Sequence, residues 1–396
     1  MTDRTLYWMW LQAAIGQGTA TAVRMFRHFS SIEAIYAADR EDYRYVGVPD
    51  NTLDRLCDKS LDTVSRLAER ALANGGWILT PDDTDYPSPF KQLYSQPLAI
   101  YGKGVLPNFE RMPVIGMVGT RSCTAYGLQA AGAIAAGLAA AGCPVISGGA
   151  KGIDRAAHEG ALYGGGVTIA VQGCGLDVEY PAVNRQMREQ ILACGGALIS
   201  EYPPGSTVTR SVFQVRNRLI SGLSWGVCVV EAPQRSGAMM TARLARDQGK
   251  DVFAVPGMIT SPASVGCHQL LRDSACLVTS AAQILQEYQI RCGNTLDEEE
   301  ADRAQAAFFE RSQIPSPVVP PEKPVSTPVS VSVSVQLPAQ VSESCKKVYD
   351  ALSDTPVSAE WLFEQTRLPL GEIFSVLTEL EIYGCVHSHP GQQYSR

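Results

Sequence analysis

The stretch that decides the fold runs from Cys143 to Asp154 and reads CPVISGGAKGID. A short run of apolar, β-branched residues ends at Ser147, a glycine-rich loop follows, and a helical pattern begins near Arg155. A step from strand through glycine loop to helix is the first half of a strand–helix–strand unit. Because glycines let backbone N–H groups approach an anion at the start of a helix, the same loop predicts a phosphate-binding site.

This pattern recurs on both sides of the first stretch, with apolar runs that begin 24 to 30 residues apart. That interval suits a strand and a crossover helix, so we predict a Rossmann-like, doubly wound α/β domain with a mostly parallel sheet over residues 111–290. Its strands are expected at residues 114–118, 143–147, 167–171, 197–200, 226–230, 251–255 and 275–278. Its helices are expected at residues 125–141, 155–163, 184–193, 215–223, 239–248 and 269–274.

The regions around this domain differ from it in composition. Residues 1–74 contain helical stretches at 20–29 and 53–73 and predict a small helical domain of the SAM or helix-hairpin-helix kind. The proline-containing residues 75–110 predict an irregular connector. Residues 291–344 contain an acidic run that starts at Asp297 and then a Pro-, Val- and Ser-rich run, a composition that predicts a disordered linker.

Residues 345–396 form a further module, for which we predict a winged-helix domain. Its apolar residues Ile373, Val376, Leu377 and Leu380 fall on one helical face. Shorter helices are expected at 346–352 and 359–365, and a hairpin at 386–394. A DNA-binding and a protein-binding role both suit such a domain. The acids on or near its third helix, Glu372, Glu379 and Glu381, disfavour DNA and favour a protein partner.

Composition excludes several classes of protein. With 396 residues, 45% of them apolar and 18% charged, the chain is a folded protein rather than a disordered or fibrous one. Its longest apolar stretch, residues 130–146, is interrupted by glycines and a proline and is not a membrane span. The N-terminal residues show no pattern of a secretory signal, so we expect a cytoplasmic protein with no membrane partner. The 11 cysteines are dispersed, without a C-x-x-C pair, and predict reduced thiols rather than zinc ligands.

Charge is distributed unevenly along the chain. The formal net charge is -7, but residues 111–280 carry 14 basic and 10 acidic residues and form the one positive segment. A polyanionic partner is therefore expected at the α/β domain.

Candidate ligand-binding residues lie where the predicted strands end, because ligands bind outside the carboxyl ends of parallel strands. Their glycine, hydroxyl, amide and basic character suits phosphate groups. They are Gly119, Arg121, Ser147, Gly148, Gly149, Lys151, Asn184, Arg185, Arg216, Asn217, Arg218, Ser236 and Gly237.

Other chemistries fit the residues less well. Gly116 and Gly119 do not form the G-x-G-x-x-G of a dinucleotide site, and no P-loop motif occurs, so no cofactor is expected. Asp154, His158 and Glu231 could be combined as acid–base groups, but we interpret Asp154 as a helix cap and His158 as a packed side chain. Tyr126, Tyr180 and Phe213 are interpreted as packing residues rather than as platforms for bases.

Several motifs, taken in order, closely resemble those of the DprA/Smf family of DNA-processing proteins. They are VGTR (118–121), SGGAKGID (147–154), GLDVEYP (175–181), SEY (200–202), RNRLISGL (216–223), VEA (230–232), RSG (235–237) and FAVPG (253–257). Two positions depart from the family pattern, namely Gln214 and the segment Gly266-Cys267-His268.

The resemblance implies a bacterial protein that binds single-stranded DNA, protects incoming DNA and loads the RecA recombinase in natural transformation. It also implies a homodimer formed through the Rossmann-like domain and a binding protein rather than an enzyme. Arg121, Lys151 and Arg185 would contact phosphates, while Arg216 and Arg218 would line the pocket or hold its wall. The alternatives are a Rossmann-like nucleoside-monophosphate hydrolase, whose Pro-Gly-Gly-x-Gly-Thr-x-x-Glu loop the chain lacks, and a protein-interaction scaffold.

Overall fold

The computed structural model describes residues 2–293, 295–313, 342–353, 355–382, 385–389 and 393–396. They belong to two compact units, one within residues 1–316 and one within residues 317–396, and each is described by itself. No helix in these ranges combines the length and apolar character needed to cross a membrane.

A mixed sheet forms the centre of the first unit. Its strands are β1 (Gly76–Leu79), β2 (Ile100–Gly104), β3 (Ile115–Val118), β4 (Val145–Ser147), β5 (Thr168–Gln172), β6 (Ala197–Ser200), β7 (Gly226–Val229), β8 (Asp251–Ala254) and β9 (Cys276–Leu277). The order across the sheet is β1-β2-β6-β5-β4-β3-β7-β8-β9. Strands β3 to β9 pair in parallel, whereas β1 and β2 are antiparallel. The predicted mostly parallel sheet is confirmed.

Six helices precede the sheet in the chain. They are α1 (Asp3–Ile15), α2 (Thr21–His28), α3 (Ile32–Ala37), α4 (Arg40–Tyr45), α5 (Asp50–Cys57) and α6 (Asp62–Leu72). The helical stretch expected at 53–73 is therefore two helices. Buried Gln12 connects this region to the sheet, because its amide nitrogen donates to Ala99 O and Glu201 O at 3.1 and 2.9 Å.

Helices cover both faces of the sheet, as a doubly wound fold requires. They are α7 (Ser88–Lys91), α8 (Ala125–Ala140), α9 (Ile153–Tyr163), α10 (Arg185–Ala193), α11 (Arg210–Leu223), α12 (Gly237–Asp247), α13 (Val265–Arg272) and α14 (Ala281–Gln286). Helices α8, α9 and α14 share one apolar core with the sheet, and α11, α12 and α13 share the other. All six predicted helices are present, with bounds shifted by up to five residues.

The order of the strands reverses at β3. Strand β4 lies on one side of β3 and β7 lies on the other, although β7 comes three strands later than β4 in the chain. In open parallel sheets the crevice at such a switch point is the usual ligand site. The loops that follow β3 and β7 are thereby brought together.

The segment expected to be an irregular connector contains two strands and a short helix. Strand β1 pairs with β2, and β2 pairs with β6, so residues 75–110 extend the sheet. The strands were missed because the loop between them contains several prolines, a composition that is typical of irregular structure.

Part of the segment expected to be a disordered linker is a helix, α15 (Glu298–Gln313). Ala301 and Gln305 are buried, and a Cβ on Gly132 of α8 would overlap the ring of Phe308. The Gln305 side chain accepts from Ala281 N at 2.8 Å and donates to Thr279 O at 3.1 Å. Three acidic residues, Glu298, Glu299 and Glu300, lie in the first turn of α15, where they favour a helix. Residues 314–341 of the predicted linker lie outside the described residues.

The second unit has the predicted winged-helix architecture. It contains α16 (Glu343–Ala351), α17 (Ala359–Thr366), α18 (Leu370–Ile382), β10 (Val357–Ser358), β11 (His387–His389) and β12 (Gln393–Ser395). The strand order is β10-β12-β11, and β11 and β12 pair antiparallel. The apolar face predicted on the third helix is buried. The turn of the predicted hairpin, residues 390–392, lies outside the described residues.

Candidate nucleic-acid interface

A cavity of about 360 Å³ lies at the switch point of the sheet, and we call it the switch-point pocket. Its walls are the loop after β3, the start of α9, one face of α11 and the start of α12. Six of the predicted site residues line it: Gly119, Arg121, Arg216, Asn217, Ser236 and Gly237. Residues from four separate strand ends thus meet in one crevice.

The loop after β3 presents Arg121 to this pocket. The Thr120 amide donates to Glu231 O at 2.8 Å, which fixes the loop beside the end of β7. The exposed Arg121 guanidinium carbon lies 4.4 Å from the centre of the half-buried Phe213 ring. Arg121 makes no ion pair with any described residue. Its charge therefore remains available to an anion.

In the loop after β4, Ala150 lines the pocket, and the residues around it build the wall behind. Ser147 is buried and its hydroxyl donates to Met117 O at 2.6 Å. Gly149 has φ +66°, in the left-handed region that favours glycine, and Gly152 has φ +79°. A Cβ on Gly152 would lie 2.6 Å from Arg121 O, so this glycine lets the two loops pack together. The expectation that Ser147 donates to the ligand does not fit its position.

Asn184 also stabilises the glycine loop after β4, which forms part of the pocket wall. It is fully buried, and its Nδ2 donates to Gly149 O and Ala150 O at 2.9 and 3.1 Å. This places Asn184 as a brace for the glycine loop rather than as a contact residue.

Arg216 and Arg218 occupy different positions, although the sequence left their roles open. Arg216 lines the pocket, is 3% exposed, and donates from Nη1 to Val171 O. Arg218 forms a buried ion pair with Glu201, with both oxygens 2.6 Å from its Nη2. A Cβ on Gly18 would lie 3.3 Å from Arg218 Nε, so Arg218 packs against the loop between α1 and α2.

Gly148 packs against two charged groups. A Cβ at this position would overlap Arg216 Nη1 and would lie 2.5 Å from Asp154 Oδ2. Asp154 is therefore part of the wall beside Arg216, in the first turn of α9. Burial raises the pKa of the Asp154 carboxyl, and the neighbouring Arg216 guanidinium opposes that rise.

The start of α12 offers backbone donors to the pocket. Ser236 is the N-cap, and its hydroxyl accepts from Met239 N. Asn217 Nδ2 donates to Gly237 O at 3.3 Å and holds α11 against this end of α12. The amides of Gly237 and Ala238 have no acceptor among the described residues, as is usual for the first turn of a helix. They face the pocket with the positive end of the helix dipole.

Two of the predicted basic residues lie beside the pocket rather than in it. Lys151 is exposed on the loop after β4 and pairs with no described acid. Arg185 is exposed at the start of α10 and pairs with Glu179 and Glu189, each at 3.2 Å. The positive charge of Lys151 is therefore more available to a ligand than that of Arg185, which has two acidic partners.

Three residues that were not among the predicted site residues also line the pocket, namely Thr120, Phe213 and Arg235. Arg235 is exposed, pairs with no described acid and precedes the N-cap Ser236, a position that could have suggested it. Thr120 also lines the pocket, and Phe213 lies below Arg121. Phe213 and Tyr180 have ring centres 5.8 Å apart. The Phe213 ring is half-buried and lines the pocket.

The acid–base combination considered from the sequence is not assembled. His158 is fully buried with Nδ1 2.7 Å from Thr168 Oγ1, and burial lowers its pKa to about 3. Glu231 accepts from Thr124 N and Thr124 Oγ1 at 2.8 and 2.6 Å, at the start of α8. Within the described residues no group of His, Cys, Asp and Glu could hold a metal ion.

Comparisons with known proteins show the family to which the chain belongs. The family model of DNA recombination-mediator protein A matches residues 77–289, and that of the DprA winged helix domain matches residues 334–392. Protein Smf of Synechocystis is 32% identical over 98% of each chain. DNA processing protein DprA of Streptococcus pneumoniae R6 is 41% identical over 52% of this chain and 72% of its own.

The X-ray structure of DNA processing protein A from Streptococcus pneumoniae is similar in fold. It matches with a TM-score of 0.62 and 32% identity, over 71% of this chain and 97% of the other. The family model covers more than half of the chain, and the Synechocystis relative covers nearly all of it. The chain therefore belongs to the DNA recombination-mediator protein A family, also named DprA or Smf.

Proposed function

We propose that the protein binds single-stranded DNA at the switch-point pocket and acts as a recombination mediator rather than as an enzyme. One observation carries this proposal: arginine side chains without acidic partners and backbone N–H groups without acceptors, among the described residues, line the same cavity. Arg121 and Arg235 are exposed without ion pairs, and the first amides of α12 face the same cavity. Backbone amides at a helix N-terminus and arginine side chains are the usual ligands of phosphate groups.

Within this proposal the residues fall into two groups. Arg121, Lys151 and Arg235 contact phosphates, with Gly237 and Ser236 at the helix N-terminus. Gly148, Gly149, Asn184 and Arg218 build the wall, and Arg216 holds the wall while it faces the ligand. Arg185 contributes at the margin, where its two acidic partners reduce its effect.

A single strand suits the site better than a duplex. The cavity of about 360 Å³ has room for one phosphate or one unstacked nucleotide rather than for a duplex. The Phe213 ring beside Arg121 provides an aromatic surface, and aromatic rings stack on bases that a duplex keeps paired. Competition of a labelled oligonucleotide against unlabelled single strand, duplex and mononucleotide tests this preference. Equal competition by duplex would contradict it.

The recombination role follows from the same proposal. A mediator that holds incoming single strands in the cytoplasm protects them and delivers them to the RecA recombinase during natural transformation. The direct test is the rate of RecA filament formation on single strands covered by single-strand-binding protein. The wild-type chain should raise this rate, whereas the Arg121→Glu variant should leave it at the level without mediator.

We propose further that the chain forms a homodimer through its α/β domain. Strand β9 is the last strand of the sheet, and its Leu277 is 55% exposed. An exposed edge strand with an apolar side chain is a ready pairing surface. Sedimentation at micromolar concentration should give the mass of a dimer for the wild type and of a monomer for Leu277→Glu. A monomeric wild type would contradict this proposal.

The alternative of a nucleoside-monophosphate hydrolase has one supporting observation, the carboxyl of Asp154 in the pocket wall. This residue is buried and lies against Gly148 beside Arg216, so its carboxyl is engaged in the wall. We therefore favour binding without catalysis. Incubation with nucleoside monophosphates should release no free base, and release that Asp154→Asn abolishes would establish the hydrolase.

A further inference from the structure

A second pocket lies next to the first along the same edge of the sheet. We call it the Tyr126 pocket; it has a volume of about 560 Å³. Its lining comprises Thr124, Ala125, Tyr126, Glu231, Pro256, Gly257, Met258, Ser261 and Ser264. The loop after β3 separates the two pockets, since Ser122 lines the first and Thr124 lines the second. A strand that leaves the switch-point pocket on this side therefore meets the Tyr126 pocket.

The pocket presents a fixed aromatic ring. Tyr126 is 48% exposed, and its hydroxyl donates to Pro256 O at 2.6 Å, so the ring is held while a large part of it stays open. Met258 is 74% exposed beside it. Aromatic rings and polarizable thioether sulfurs both make favourable contacts with flat aromatic systems.

The pocket also contains a serine hydroxyl that has no hydrogen-bond partner among the described residues. Ser264 is 3% exposed, and its Oγ makes no hydrogen bond within the described part of the chain. A Cβ on Gly257 would overlap this oxygen, so glycine at that position keeps it open to the pocket. A serine hydroxyl can both donate and accept, so an unpaired one in the lining of a pocket can hydrogen-bond with a ligand.

The charge of the pocket excludes a phosphate as that ligand. No Lys or Arg lines it, and the carboxylate of Glu231 forms part of the wall. The ligand that fits is uncharged, flat and aromatic, with hydrogen-bonding groups on its edge.

We infer that the Tyr126 pocket receives an unstacked nucleobase of the strand whose phosphate lies in the switch-point pocket. This inference rests on the proposed function and adds a base site to it. The base stacks on Tyr126 and Met258, and its edge hydrogen-bonds with Ser264 Oγ.

The test is fluorescence anisotropy of a labelled single strand with the full-length wild type and with Tyr126→Leu, Tyr126→Phe and Ser264→Ala. Loss of one stacked base should weaken the binding of Tyr126→Leu about 10-fold, with an unchanged salt dependence. Tyr126→Phe keeps the ring and should bind within about 3-fold of wild type. The matched control is Tyr94→Leu, which removes another exposed ring and should change nothing.

Oligonucleotides without bases separate stacking from folding effects. On an abasic strand the wild type should lose about 10-fold more affinity than Tyr126→Leu loses, because the variant has already lost one of its two stacking rings and keeps only Phe213. Photo-crosslinking of a 5-iododeoxyuridine strand should label a peptide that contains Tyr126 or Met258.

Three outcomes would overturn the inference. Wild-type affinity in Tyr126→Leu, with normal binding by the wild-type protein, overturns this inference alone. A defect of Tyr126→Leu in protein association but not in DNA binding would assign the pocket to a protein side chain instead. Absence of wild-type binding to single strands, or an unaffected Arg121→Glu variant, would overturn the proposed function together with the base site.

Discussion

Gly148 shows how closely the wall of the switch-point pocket is packed. A side chain at this position would overlap Arg216 Nη1 and press on Asp154, both of which are buried. Gly237 lies in the same pocket, but a Cβ there would meet only Asn217 Nδ2, at 3.8 Å. The same substitution can therefore be compared at a crowded glycine, Gly148, and at an open one, Gly237, within one site.

We predict that Gly148→Ala lowers the free energy of unfolding by about 1–3 kcal/mol, because the added methyl group overpacks the wall. Gly237→Ala should change it by less than about 0.5 kcal/mol. Urea titrations of both variants provide the measurement. Equal stabilities for the two would contradict the packing described here.

His158 predicts a dependence of stability on pH. Its pKa in the folded chain is lowered to about 3 by burial, whereas an unfolded histidine titrates near 6.5. The unfolded chain therefore binds more protons between these values, and stability falls as pH drops through 6.5 towards 3. From pH 6.5 to pH 5 the contribution is about 2 kcal/mol, at 1.36 kcal/mol for each pH unit.

Urea unfolding of wild type and His158→Leu at pH 7, 6 and 5 isolates this contribution. Other titrating groups are common to both proteins, so the variant should lose less stability on acidification. Parallel pH profiles would show that His158 is not the group responsible.

Residue types in the sequence indicated the pocket but not the direction of each side chain. Arg121, Asn217 and Ser236 were predicted to meet and do so at the switch point. Ser147 and Asn184 have equally suitable chemistry, yet both are turned into the protein, where they hold the loops. A polar residue at the end of a strand can face the ligand or the core, and the sequence pattern is the same in both cases.

At the scale of elements, the covering of α8 by α15 has a testable consequence. Helix α8 contains Gly132 and Gly137, and the close approach of α15 depends on both, through Phe308 and Ala301. We predict that Phe308→Ala lowers the free energy of unfolding by about 1–3 kcal/mol, because it opens a gap over Gly132. Exposed Glu310→Ala is the control. Equal melting temperatures would contradict a structural role for this contact.

The elements that sequence reasoning found and missed differ in a physical way. Strands β3 to β9 carry continuous apolar runs because most of them are buried on both faces, and such runs are visible without any structure. Strands β1 and β2 are short and antiparallel, and prolines lie between them. Helix α15 was hidden because its acidic start and the proline-rich run that follows resemble a linker, whereas its few buried residues give a weak periodic signal.

At the scale of the whole molecule, the acidic composition of the winged-helix unit predicts that single-strand binding resides in the first unit alone. Residues 345–396 contain 4 basic and 7 acidic residues, so this unit adds no attraction for a polyanion. A chain that ends at residue 313 should bind single strands within about 3-fold of the full-length affinity, since the phosphate contacts remain. Anisotropy with both chains is the measurement. A loss of 100-fold would place a major DNA contact in the winged helix.

The most direct test of the central claim is the salt dependence of single-strand binding by the wild type and by Arg121→Glu/Arg235→Glu. Phosphate contacts release counterions, and each contact adds about 0.7 to the slope of log affinity against log salt for a single strand. We predict tight, salt-sensitive binding by the wild type and a slope reduced by about 1.4 in the double variant. Arg55→Glu/Arg66→Glu makes the same charge change on α5 and α6 and should bind as the wild type does. Equal slopes and affinities for both double variants would contradict phosphate binding at the switch point.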